Sequence, residues 1–301
     1  MARRKNRIFL SIDMDEWYQC RWATGSKNSL WPNTESFFRT HYNSDRPIGE
    51  IIEHTEVILS LLSDHEIRAT FFFTGEIASY YPELVKRVAD EGHEIASHNF
   101  IHKDYNESNL DEFAVNLRKS KKLLENLSGQ RIIGYRAPNS VVSPYHIREL
   151  IKSGFRYDSS VTPTRPLFGQ FGSFTKCPLN PYRLSDDSYY PGNSKLWEFP
   201  WPVLPILRLP AGSGITTRMF GYTYAIMAIE YALRTGNTAY YFHPYEIGPP
   251  PELKTYGSFY AKFRMRNLDD RYLSMLKSIL NRFKGYFLSG NEILELELAR
   301  E

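Results

Sequence analysis

Short β-rich runs alternate with amphipathic stretches along most of this chain. Arg7 to Ile12 reads as a buried strand, and Ile51, Ile52, Val57, Ile58, Leu61 and Leu62 then recur at helical spacing. Ala69 to Thr74 (ATFFFT) predicts a second strand. Pro82 to Ala89 predicts a helix stopped near Gly92, and His93 to Ser97 a third strand. Ser108, with Asp111 three residues later, opens a long helix that runs to about Leu127 and ends at Gly129. Ile132 to Tyr135 is a fourth strand, Tyr145 to Ser153 a helix closed by Gly154, and Phe155 to Asp158 a fifth strand. Leu196 to Phe199 is the sixth, Met219 to Thr235 a helix ended by Gly236, and Thr238 to His243 the seventh.

Strands alternating with helices imply parallel βαβ units. Seven of them over roughly 245 residues suit a closed or nearly closed barrel better than an open sheet. The expected fold is therefore α/β, a deformed (β/α)7-type barrel of parallel strands over residues 1–250. Residues 251–301 form a helical extension packed on it. Two stretches fall outside the alternation: the polar, aromatic insertion Gln19 to Arg46, and the Pro/Gly/Ser/Tyr-rich loop Phe168 to Asn193. Long loops at the C-terminal ends of barrel strands commonly shape active sites.

Composition changes this picture little but closes several doors. The chain has 301 residues, 42% hydrophobic and 24% charged, which is ordinary globular usage. Its net charge of +3 carries no nucleic-acid signal. Two cysteines, Cys20 and Cys177, exclude a disulfide framework. The basic start Met1 to Arg7 is followed by an apolar run of only Ile8 to Ile12, too short for a secretory signal. The apolar stretch Phe199 to Pro210 holds four prolines and an arginine and cannot span a bilayer. These readings predict a cytoplasmic protein. The basic residues of Lys262 to Lys284 allow peripheral contact with the inner membrane or a lipid-linked sugar, against the plainer reading of a packed helix with a solvated basic face.

Reactive side chains in parallel barrels gather just past the strand C-termini. There this sequence places Asp13-Met14-Asp15-Glu16, then His98 and His102, then Arg136-Ala137-Pro138, Asp158-Ser159-Ser160, and His243-Pro244-Tyr245-Glu246. Asp13 and Asp15, two apart on a strand, face the same side. His98 and His102, four apart, would share one side of a helical turn. Each feature alone is unremarkable: an acidic loop, two surface histidines, a structural arginine. Together, Asp15, His98 and His102 form a two-histidine, one-carboxylate set that suits a divalent cation with open positions. Zinc fits such a set, and cobalt, nickel or manganese could occupy it. Asp13 would act as base, Arg136 would orient it or serve a structural salt bridge, and His243 would act as acid. The loop Leu209 to Gly214 reads as a turn whose glycines permit close approach.

Six segments in this order resemble the successive motifs of the polysaccharide deacetylase (NodB homology, carbohydrate esterase) family: SIDMDEW, ATFFFTGEIA, GHEIASHNFIH, IGYRAPNS, FRYDSS and YYFHPYEI. The resemblance covers Phe9 to Glu246. It is nearest to the bacterial exopolysaccharide-biosynthesis branch, whose tail Tyr256 to Leu288 also resembles. It implies a deformed (β/α) barrel and a metal-dependent N-deacetylase acting on an N-acetylated sugar of a surface polysaccharide or its lipid-linked precursor. Carried over by position, Asp13 is the base, Asp15, His98 and His102 the metal ligands, Arg136 the orienting residue and His243 the acid. Three departures stand out. Met14 splits the aspartate pair. Asn139 stands where a tyrosine commonly follows the Arg-x-Pro element and donates its backbone N–H to the oxyanion. The element that tunes the acid histidine has no plain counterpart, which leaves Trp197-Glu198 as its nearest match. Asn139, Trp197 and Glu198 are thus the candidate substrate-side residues. Two other readings remain: a hydrolase of small amides, formamides or cyclic imides with the same machinery, and an inactive sugar-binding barrel.

Overall fold

The computed structural model describes residues 5–106, 108–165, 174–204, 207–251 and 259–301. Residues 168–173 of the predicted long loop and 256–258 of the resembling tail lie outside the described residues. The seven expected strands are all present, as β1 (Ile8–Met14), β2 (Thr70–Phe73), β3 (Glu94–Ser97), β4 (Gly134–Tyr135), β5 (Tyr157–Asp158), β7 (Trp197–Glu198) and β10 (Thr238–Phe242). Four pieces were not foreseen: β6 (Tyr182–Arg183), β8 (Val203–Leu204), β9 (Leu209–Pro210) and β11 (Phe287–Leu288). The main sheet runs β10-β1-β2-β3-β4-β5-β7-β6, parallel throughout except for β6 against β7. The gap between β7 and β10 is bridged by the β8–β9 hairpin. Trp201 N–H donates to the Val161 carbonyl on one side, and Tyr241 N–H donates to the Gly212 carbonyl on the other. The result is the distorted barrel that the alternation predicted.

Strand parity explains which residues face where. In β1, Ile8, Leu10, Ile12 and Met14 join the core between sheet and helices. Phe9 joins a separate cluster inside the barrel with Phe72, Tyr157, Phe199, Ile293 and Leu294. The same alternation sends Asp13 inward, so Met14 splits the two aspartates because it belongs to the outer core. The floor is aromatic: Phe9 meets Phe72, Tyr157 and Phe199 edge-on at centroid distances of 6.2, 6.1 and 5.5 Å.

Residues past 251 do more than pack on the barrel. β11 pairs with Ile8 and Phe9 of β1, and the helix Gly290–Leu298 inserts Ile293 and Leu294 into the floor cluster. The expected helix Met219–Thr235 is two helices, Gly214–Phe220 and Tyr222–Leu233, broken at Gly221, whose φ of +88° ends the first. The N-cap of Leu110–Ser128 is Asn109, not Ser108, although Gly129 closes that helix as expected. The insertion after β1 is a folded aromatic cap. Trp17, Tyr18, Trp31, Phe37 and Phe38 form their own core with Tyr245, Ala261, Met265 and Leu268. Both cysteines are free and buried. Among the described residues no helix is long and apolar enough to cross a membrane.

Candidate active site

The polar cluster sits at the C-terminal ends of the strands. Arg136, which follows β4, is 1% exposed and lies on an aromatic shelf, its guanidinium carbon 4.2 Å from the Phe72 ring centre and 5.3 Å from that of Tyr241. Its fork is fully engaged: Nη1 donates to Asp13 Oδ1 at 2.5 Å, Nη2 to Ser159 Oγ at 2.8 Å, and Nε to the Ser159 carbonyl at 3.0 Å. A guanidinium held from three directions fixes the rotamer of Asp13, as both roles open to Arg136 on sequence require. Removing either partner would strand a charge in the interior, at a cost of about 3–5 kcal/mol.

Asp15 stands one residue past β1 and is flanked by two imidazoles. His102 Nε2 lies 3.6 Å from its Oδ2, and His243 Nε2 lies 3.7 Å from its Oδ1. His98 and His102 do not share a helix. They lie on a bend in which Asn99 adopts φ +63°, and the carbonyls of Asn99 and Phe100 accept from the first N–H groups of the helix Gly75–Tyr80. The bend still brings the two rings to a centroid distance of 5.0 Å. His98 Nδ1 donates to the Arg136 carbonyl at 2.8 Å, which leaves its Nε2 with a free lone pair.

Among the described residues no three His, Cys, Asp or Glu side chains are drawn into a ready-made coordination shell. The chemistry of the donors nevertheless fits a divalent cation. Burial pushes His98 down to about 3 and His102 well below its ordinary value, so both rings are neutral. Burial likewise pushes Asp15 up to about 7. Asp15 Oδ1 and His102 Nδ1 are buried without a hydrogen-bond partner. Two neutral imidazoles beside a carboxyl whose ionisation burial disfavours are what a divalent charge would complete.

His243 follows β10. Its Nδ1 donates to Glu246 Oε1 at 2.9 Å, and its ring stacks on Tyr245 at 5.0 Å. Burial works against its protonation, but Asp15 and Glu246 outweigh burial and raise its pKa. For Glu246 burial alone would favour the neutral form; the Arg218 guanidinium and His243 overcome it and hold the carboxyl below its usual range. Glu246 and Arg218 were not foreseen as functional. The signal for Glu246 was its place three residues after His243; Arg218 carries none in the sequence.

The structure places the three substrate-side candidates in different surroundings. Trp197 faces the barrel floor, 5% exposed, in the cluster that holds Ile293 and Leu294, with Arg183 over its ring at 5.1 Å. Glu198 alternates to the other face of β7 and does not touch His243. Its Oε1 accepts from the backbone N–H groups of Ser160 and Val161, which supports the turn that presents Ser159 to Arg136. Asp158 points the same way, accepting from Tyr189 Oη at 3.2 Å, and burial raises it to about 7. Asn139 does lie at the strand-end rim. It adopts φ +53° and donates from Nδ2 to Asp104 Oδ1 at 2.9 Å, while Arg21 holds the other Asp104 oxygen at 3.1 Å. A cavity of about 540 Å³ lined by Lys5, Asn6, Glu230, Arg234, Arg282 and Tyr286 opens at the opposite, N-terminal end of β1 and holds none of these groups.

Two family models divide the chain. Residues 45–157 match the polysaccharide deacetylase family, and residues 159–293 match a domain of unknown function, DUF3473. His98, His102 and Arg136 fall in the first match and His243, Glu246 and Arg218 in the second; Asp13 and Asp15 precede both. The peptidoglycan-N-acetylglucosamine deacetylase of Bacillus cereus is 37% identical over 97 residues, 32% of this chain and 33% of that protein. The chain thus spans about a third of that curated relative, and 40% and 39% of two further ones. Among solved structures, a Mycobacterium smegmatis chain described as a polysaccharide deacetylase superposes with a TM-score of 0.60 at 17% identity, covering 100% of this chain and 93% of that one. The allantoinase Puue superposes with a TM-score of 0.61 at 14% identity, covering 96% and 88%. Likeness at such identity speaks for the barrel alone. With the matched segment, the curated relatives and the shared barrel agreeing, the chain carries a polysaccharide deacetylase domain of the NodB, carbohydrate esterase type.

Proposed function

We propose that this chain is a metal-dependent hydrolase that removes the N-acetyl group from an amino sugar of a surface polysaccharide or its lipid-linked precursor. The observation that carries the reading is the buried Arg136–Asp13 pair beside Asp15, His98, His102 and His243 at one end of the barrel. Asp15, His98 and His102 would hold the cation. When bound, it supplies Lewis-acid polarisation of the amide carbonyl and activation of a water. Asp13, held by Arg136 with one oxygen engaged, takes the proton from the attacking water. His243, its Nδ1 tied to Glu246, presents Nε2 to the site and delivers a proton to the departing amine. Asp13, Asp15, His98 and His102 are buried, which strengthens the interactions among these groups relative to bulk water.

Acetate release from a soluble N-acetylglucosamine oligomer, before and after chelation and metal restoration, tests the proposal. Loss on chelation with recovery on adding zinc, cobalt, nickel or manganese supports it. Full activity in the chelated protein contradicts the metal role. Turnover of a small cyclic amide with none of the oligomer moves the substrate to the non-glycan class.

A further inference from the structure

The acid histidine is tied to the C-terminal segment by a buried relay. Glu246 is 0% exposed and Arg218 2% exposed. His243 Nδ1 and its backbone N–H both donate to Glu246 Oε1, at 2.9 and 3.1 Å. The second carboxylate oxygen accepts from Arg218 Nε at 2.7 Å. Arg218 Nη1 in turn donates to the carbonyls of Arg264 and Arg266, at 2.6 and 2.8 Å. The same turn grips both residues through their backbones: Asn267 Nδ2 donates to the Arg218 carbonyl, and Asp269 N–H donates to the Glu246 carbonyl.

Two independent features show that the backbone is shaped around this relay. A Cβ on Gly214 would stand 2.4 Å from both carboxylate oxygens of Glu246, so the helix carrying Arg218 comes this close only because its first residue is glycine. Asn267 and Asp269 both adopt left-handed conformations, φ +55° and +66°, unusual for residues other than glycine. A fully buried ion pair is poor evidence of added stability, because desolvation offsets the attraction. Among the described residues this pair reaches the site through the imidazole of His243, which faces Asp15.

We propose that Glu246 and Arg218, clamped by the turn 264–269, are positioning residues that hold the proton of His243 on Nδ1 and aim Nε2 at the reacting amine. The C-terminal segment is then part of the active site. A carboxylate behind a working imidazole sets its tautomer; an amide in its place reverses it. This inference rests on the deacetylase reading only for its kinetic consequence. The tautomer itself can be read without any reaction.

The test is long-range 1H–15N NMR of His243 in the metal-free full chain, at a pH where the ring is neutral, for the wild type and Glu246→Gln. Acetate release from an N-acetylglucosamine oligomer by the metal-loaded proteins is measured alongside. The glutamine oxygen turns to Arg218, so its amide N–H faces His243. The expected results are Nδ1–H in the wild type and Nε2–H in the variant. kcat should fall by roughly 10²- to 10⁴-fold, with KM changed by less than about threefold. Arg218→Lys keeps the charge but cannot span Glu246 and two carbonyls, and an intermediate fall in kcat is expected; it replaces Glu246→Gln if that variant does not fold. Nε2–H in the wild type, or an unchanged tautomer and kcat in the folded variants, overturns the relay. Absence of acetate release from the wild type removes the deacetylase reading and leaves the tautomer result to decide the relay.

Discussion

The two halves of the barrel place their functional groups by different means. From β1 to β5 the chain uses buried strands and crossover helices, and strand parity delivers the groups. Asp13 points inward because Ile12 and Met14 point outward, and Arg136 reaches it from the end of β4. From β4 to β9 the strands are two residues long, and past β5 the helix also divides at Gly221 and a hairpin bridges the gap before β10. There side-chain hydrogen bonds add to strand placement, running from the 264–269 turn through Arg218 and Glu246 to His243 at the end of β10. Asp13 rests on the sheet and its pair with Arg136; His243 rests on a relay as well.

Substitutions at Asp13 give the largest expected effect. Asp13→Asn keeps the size and a hydrogen-bonding oxygen for Arg136 but cannot take a proton, so acetate release should drop by roughly 10²- to 10⁴-fold with the fold intact. Asp13→Ala additionally strands Arg136, and urea denaturation should show about 3–5 kcal/mol of lost stability. An Asp13→Ala protein as stable as the wild type would mean that the first half does not depend on this pair.

A smaller, sharper contrast compares two glycines. Gly214→Ala pushes a methyl group into the Glu246 carboxylate, so kcat should fall by about tenfold or more even where the protein remains folded. Gly129→Ala meets nothing within 4 Å but must adopt φ +68°, so it should cost about 1 kcal/mol of stability and leave kcat unchanged. Equal kinetic effects at both sites would remove the distinction between relay and scaffold.

A pH-dependent effect probes the first half alone. His146 is buried against Phe113, and burial lowers it to about 4. Its neutral ring stabilises the fold fully above the unfolded value near 6.5. That contribution is lost as pH falls from about 6.5 toward 4, because only the unfolded chain takes up the proton there. Between pH 7 and pH 5 the wild type should lose about 1–2 kcal/mol more than His146→Gln, read from urea midpoints. Parallel pH slopes would contradict it.

Legibility in the sequence follows the same division. Apolar alternation and glycine stops marked all seven principal strands, because these are determined by burial within ten or so neighbouring residues. The clustering of Asp13, Asp15, His98, His102, Arg136 and His243 was readable because parallel strands deliver their ends to one rim. The bend at Asn99 was not, since a left-handed asparagine leaves no period in the chain. Trp197 and Glu198 lie on the strand expected for them, but which face each takes was not legible because a two-residue strand has too little length to show its parity. Arg218 was invisible: its partners are carbonyls and a carboxylate brought in from 28 to 48 positions away. β11 escaped for a related reason, as its pairing with β1 joins the two ends of the described chain.

The central claim is that Asp15, His98 and His102 hold one divalent metal. Elemental analysis of the full-length protein, purified in parallel as wild type and His98→Ala, tests it most directly. The account predicts about one equivalent in the wild type and nearly none in the variant. Equal metal in two folded proteins would contradict it.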